Sequence, residues 1–138
     1  MLYKKQALSF LQEHEGYRQF PYADSLGIQT IGYGRNLESR GISEPEASYL
    51  LSNDIAEAEK MLDVYPYYYK LNGERKAVMI DMMVNMGSPR LAGFLKMHAA
   101  LVEQDYELAA LEMLDSKWAL QVGQRALTLS HVMHSGKI

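Results

Sequence analysis

Five of the ten glycines in this 138-residue chain, at positions 16, 27, 32, 34 and 41, crowd into its first third. Glycine that dense, interleaved with Tyr, Phe, Ile and Thr, signals tight turns and short strands and is incompatible with a long helix. Within the segment, Phe20-Pro21-Tyr22 is extended, because proline biases the preceding residue away from helical backbone. Asp24-Ser-Leu-Gly27 carries turn chemistry, an Asp able to bond its own backbone and a Gly free to take positive φ. Ile28 to Tyr33 has β-branched residues near period two, the signature of a strand. Residues 17–34 are therefore predicted to form a small antiparallel sheet, with a polar connector from Arg35 to Gly41.

Almost everything else reads as amphipathic helix. Residues 2–14 place Leu2, Tyr3, Ala7, Leu8, Phe10 and Leu11 near helical spacing, and Gly16 ends that helix with Glu15 in its last turn. Neighbouring Tyr and Ile side chains are expected to half-shield Glu15. Ser43 and Glu46 form a capping box that opens a helix to about Val64, about 30 Å long and able to bridge two lobes. Tyr65, Tyr67, Tyr68 and Tyr69 are read as lobe-joining packing in preference to sugar stacking. Asn72 caps a helix that is apolar nearly all round and stops at Gly87, and short helices follow to His134. The fold class is thus α+β, mostly α. One domain spans 1–138: a β lobe at about 15–42, a connecting helix at about 43–64, and a helical lobe of about 65–138 joined by helix 2–14.

Composition removes several classes of function. No apolar run approaches the roughly 18 residues of a membrane span, and the N-terminus turns polar before a signal peptide could be completed. Synthesis in the cytoplasm and no stable membrane insertion are the expectations. Without cysteine, disulfides and thiolate metal sites are excluded. The net charge is −3, with 7 basic and 10 acidic residues in 1–70 against 7 and 7 in 71–138, and offers nothing to nucleic acid. His131 and His134 lie three apart with no carboxylate at ligand spacing, so no metal or other cofactor is expected.

The chemistry concentrates in the Gly-rich segment. Cleaving a glycosidic bond takes one carboxylic acid to protonate the leaving oxygen and a second carboxylate to manage the cationic centre or its attacking water. Glu15 suits the first role and Asp24, in a polar turn, the second, with Thr30 across the hairpin able to hold a water beside Asp24. The nine-residue step from Glu15 to Asp24, the six-residue step to Thr30, and Thr30-Ile-Gly-Tyr-Gly34 resemble the active-site signature of the phage-type lysozymes. Further blocks extend the likeness: Asn85-Met86-Gly87 before Leu91-Ala-Gly-Phe94, and Ser116-Lys117-Trp118 before Arg125-Ala126.

That resemblance implies a lysozyme-like, two-lobed fold and an inverting muramidase acting on peptidoglycan. Glu15 matches its general acid, and Asp24 with Thr30 the pair that positions water. Asn85, Trp118 and Arg125 match substrate-side residues of the helical lobe, Arg125 as a partner of the catalytic Glu. Arg35 stands where many relatives have His, so the ion pair that His makes should be absent or replaced. A monomer is implied, reaching the wall through a holin or by delivery on a particle. Two rivals stay open: a lytic transglycosylase forming anhydro ends, and a non-catalytic wall-binding module on the same fold.

Overall fold

The computed structural model describes residues 1–138. Helix α1 (Leu2–Glu15) leads into strands β1 (Arg18–Ala23), β2 (Gln29–Gly32) and β3 (Arg35–Asn36). Helix α2 (Glu44–Leu62) and a 3₁₀ turn (Pro66–Lys70) follow. The rest is helical: α3 (Gly73–Met86), α4 (Ser88–Ala92), α5 (Leu95–Val102), α6 (Tyr106–Leu114), α7 (Lys117–Val122) and α8 (Gln124–Ser135). The mostly helical α+β, lysozyme-like class expected from the sequence is what the chain adopts. It divides into two compact units, Met1–Leu50 and Leu51–Ile138, and the division falls inside α2.

In the first unit the sheet has the order β1-β2-β3, antiparallel throughout. Tyr22 pairs with Thr30 and Ala23 with Gln29, while an irregularity between Arg18 and Tyr22 bends β1. One expectation is corrected here. The segment after Gly34 is not all connector: Arg35 and Asn36 add a third strand opposite Ile31 and Thr30. Helix α1 falls within the first unit, as the sheet does. Its last residue turns straight into β1 through Gly16 at φ +69°, and along its length it buries no residue. The periodicity of its apolar stripe gave the helix without saying what it packs against. At the start of α2 the capping box forms as read: Glu46 N–H donates to Ser43 Oγ (3.3 Å), and Ser43 N–H donates to Glu46 Oε1 (2.8 Å).

The second unit holds the hydrophobic core, in which Leu62, Tyr68, Met79, Met82, Leu91, Met97, Met113 and Met133 are fully buried. Methionine, unbranched and flexible, fills the irregular spaces where α3 meets the shorter helices. Tyr67 and Tyr68 are buried and Tyr65 is half-buried, so most of the tyrosine cluster is core, while Tyr69 stays exposed. Asn72 caps α3 as expected, its side chain accepting from Arg75 N–H (3.0 Å).

His98 carries no motif in the sequence, yet it is a hub of this core. Tyr65 stacks on its ring at 4.3 Å. Nδ1 lies 2.7 Å from the Tyr67 hydroxyl and Nε2 lies 2.8 Å from the Leu91 carbonyl. A carbonyl can only accept, so Nε2 carries the proton and Nδ1 takes one from Tyr67, an arrangement that needs a neutral imidazole. Burial pushes the His98 pKa below its ordinary 6.5, the Leu91 carbonyl opposing in part. An unfolded chain takes up a proton near pH 6.5, and the folded one resists until lower pH. Stability should therefore fall as pH drops below about 6.5. Melting curves between pH 7.5 and 5.5 should show that slope, and His98→Gln should flatten it.

Candidate functional site

Within the first unit, the turn between β1 and β2 is closed by Asp24 and Thr30 acting on the same residue. Leu26 N–H (2.8 Å) and Ile28 N–H (2.9 Å) both donate to Asp24 Oδ1. The Ile28 carbonyl accepts from Asp24 N–H and from the Thr30 hydroxyl, each at 2.9 Å. Gly27, at φ +79°, closes the loop by donating its N–H to the Asp24 carbonyl (2.9 Å). Carboxylate and hydroxyl are thus both anchored on the peptide groups of Ile28. Each keeps free capacity, Oδ2 on Asp24 and the lone pairs on Thr30 Oγ1. Thr30, at 4% exposure, is the one buried residue of this sheet, so its hydroxyl has a fixed direction.

Glu15 reaches the same sheet from the end of α1. Its carboxyl lies over Gly34: a Cβ built on that glycine would stand 2.6 Å from Glu15 Oε2 and 2.9 Å from Cδ. Gly34 is also at φ +75°, in the left-handed region that glycine enters without strain. Two independent needs, backbone and space, therefore converge on one residue. The half-shielding expected of Glu15 is not found, since this side chain is exposed like the rest of α1. The structure thus brings Glu15, Asp24 and Thr30 onto a single three-stranded scaffold.

The other sequence-predicted residues belong to the helical unit. Trp118 is a core residue, 3% exposed, with Phe94 edge-on at 6.1 Å. Its indole N–H donates to Asn85 Oδ1 (2.7 Å), which fixes the orientation of the exposed Asn85 side chain. Arg125 is held by Asp81, with Nε at 2.9 Å and Nη2 at 2.7 Å from Oδ1. Asp81, 44 residues away in the chain, is a partner that no sequence motif announces. Beside Trp118 opens a concavity of about 600 Å³ lined by residues of 90–121, among them Phe94, Arg90, Lys96, Lys117, Glu112 and Asp115. No ion pair links these five charged side chains, so both signs of charge face solvent there. His131 and His134 are exposed on α8, and nowhere do three His, Asp or Glu side chains gather as metal ligands. No helix is long and apolar enough to cross a membrane.

Comparison with known proteins adds a second line of information. A model of the phage lysozyme family matches residues 12–131. The chain is 26% identical to probable T4-type lysozyme 2 of Dictyostelium discoideum, over 93% of each chain. It is 24% identical to the pre-baseplate central spike protein Gp5 of Enterobacteria phage T4, over 93% of this chain but 27% of that protein's length.

Proposed function

Because the chain belongs to the phage lysozyme family, we propose that it is a muramidase. In this reading it hydrolyses the β-1,4 bond between N-acetylmuramic acid and N-acetylglucosamine in peptidoglycan, with inversion. The observation that carries the finer reading is the shared anchoring of Asp24 and Thr30 on Ile28, on the same sheet whose Gly34 seats Glu15.

The chemistry follows from what each group has left to give. Glu15, in its acid form, protonates the glycosidic oxygen as the bond to the anomeric carbon breaks. A water then attacks that carbon from the opposite face. Asp24 Oδ2 accepts one of its protons and acts as base, while Thr30 Oγ1, whose own proton is committed to Ile28, accepts the other. With both protons held, an oxygen lone pair of the water is left directed outward. The backbone N–H groups on Oδ1 keep Asp24 in one rotamer, so the water is aimed rather than merely nearby. Asn85 and Arg125 are proposed as further substrate-side residues. No cofactor is called for in this scheme.

For access to the wall we propose synthesis in a host cytoplasm as a monomer, followed by passage through a holin or delivery on a particle. End-group analysis of digested peptidoglycan tests the reaction. New reducing ends, in the α configuration when first released, are the expected product. Anhydro ends would assign the chain to the transglycosylases, and the absence of any new ends to the wall-binding modules.

A further inference from the structure

Arg35 stands one residue past the glycine that seats Glu15, and it faces Ile31 across the β2–β3 ladder. Its guanidinium forms a fork on Glu46. Nη1 donates to Oε1 (2.8 Å) and also to the Gly41 carbonyl (3.1 Å), while Nη2 lies 2.6 Å from Oε2. Glu46 Oε1 is the same atom that accepts Ser43 N–H in the capping box. One carboxylate therefore ties strand β3, the end of the loop at Gly41 and the first turn of α2 into a single knot. A two-pronged guanidinium–carboxylate contact fixes angle as well as distance. The Arg35 hydrogen bond is the main reason the Glu46 carboxyl is held down to about 2, so the knot stays charged throughout any practical assay. Both side chains are partly exposed, at 27% and 40%, and pairs of that kind add little to global stability.

We infer that Arg35 is a positioning residue for the glycosidase reaction: its fork on Glu46 holds the β2–β3 turn, and with it the Gly34 seat of Glu15 and the ladder partner of Thr30, against the start of α2. The inference rests on the function proposed above. Its physical basis is that misplacing a reacting group by about 1 Å can cost on the order of 100-fold in rate, while binding of a long glycan is spread over many contacts.

The test uses the full chain as wild type, Arg35→Gln, Glu46→Gln and the double variant. Glu46→Gln is informative because glutamine still completes a capping box, so α2 keeps its start and only the ionic fork is lost. Both single variants should lose about 10- to 100-fold in kcat with KM within about twofold, and the double should be no worse than the poorer single. Arg40→Gln, on an exposed residue without a side-chain partner, should match wild type. A second readout does not depend on activity: in Arg35→Gln, exchange of the Leu37 amide, bonded to the Gln29 carbonyl, should quicken about tenfold at unchanged Tm. If Arg35→Gln folds poorly, Arg35→Lys supplies the same comparison, keeping the charge but not the fork. Unchanged kcat with unchanged exchange overturns the inference, as does a loss confined to KM or losses that multiply in the double variant. A wild type that releases no sugar ends, with exchange still quickened in Arg35→Gln, would instead sink the glycosidase reading and leave the tether standing.

Discussion

Glu15→Gln should abolish measurable clearing of peptidoglycan while leaving the fold intact. The amide has the shape of the acid but no proton to give, and a positioned general acid is worth about 10²- to 10⁴-fold in rate. The stability side of the prediction comes from exposure. Glu15 makes no salt bridge and no side-chain hydrogen bond, and it lies on a helix that buries none of its residues. Exposed substitutions of that sort shift stability by no more than about 0.5 kcal/mol. The melting temperature of the variant should therefore overlay the wild type, and far-UV spectra should coincide. Clearing at the wild-type rate would mean that the protein acts on walls without catalysis, the wall-binding alternative. Lost clearing in the variant together with anhydro ends from the wild type would point to the one-carboxylate rival, in which Glu15 alone is the acid and Asp24 and Thr30 are ordinary turn residues.

How much of this could be read from the chain depended on how local the physics was. The Asp24 turn was legible because every bond that closes it lies within four residues, from Asp24 to Ile28. The start of α2 was legible for the same reason, its capping box needing only Ser43 and Glu46. Strand β3 was missed because two polar residues cannot show a period of two. Glu46 was seen as a cap but not as the partner of Arg35, 11 residues away. His98 meets Tyr67 across 31 residues and Trp118 meets Asn85 across 33, pairings that no spacing rule announces. The apolar stripe of α1 told of a helix but not of what covers it, because periodicity reports a face and not its cover, and the Tyr and Ile side chains expected to shield Glu15 leave it exposed. Family likeness is what suggests roles for Glu15, Asp24 and Thr30, which the local signals alone leave as common residues in common places.

Gly34→Ala is where backbone, space and chemistry can be separated. The substitution forces alanine to φ +75°, at a cost of about 1–2 kcal/mol for an L residue in the left-handed region. The new methyl would also stand 2.6 Å from Glu15 Oε2, far inside contact distance. What must yield is the tip of a flexible exposed side chain, so relieving the clash adds little to the loss of stability. In the proposed mechanism it is nevertheless the tip that carries the reacting proton. Activity should thus fall much further than stability: kcat down about 100-fold, as expected for a catalytic group displaced by about 1 Å. Gly123→Ala provides the control for backbone strain without a clash, since Gly123 is also at positive φ, +57°, with no heavy atom within 4 Å of the added Cβ. It should lose at least as much stability, since its ψ of −116° lies outside the left-handed well open to L residues, and keep its turnover, because the added methyl meets no side chain. Chemical denaturation and steady-state clearing on the two variants decide the matter. Equal turnover in both would mean that the Glu15 carboxyl works from somewhere other than its seat on Gly34. Equal loss in both would mean that activity follows stability alone. The predicted split, with stability lost in both and turnover lost only at Gly34, is the signature of a glycine retained for the room it leaves to an acid.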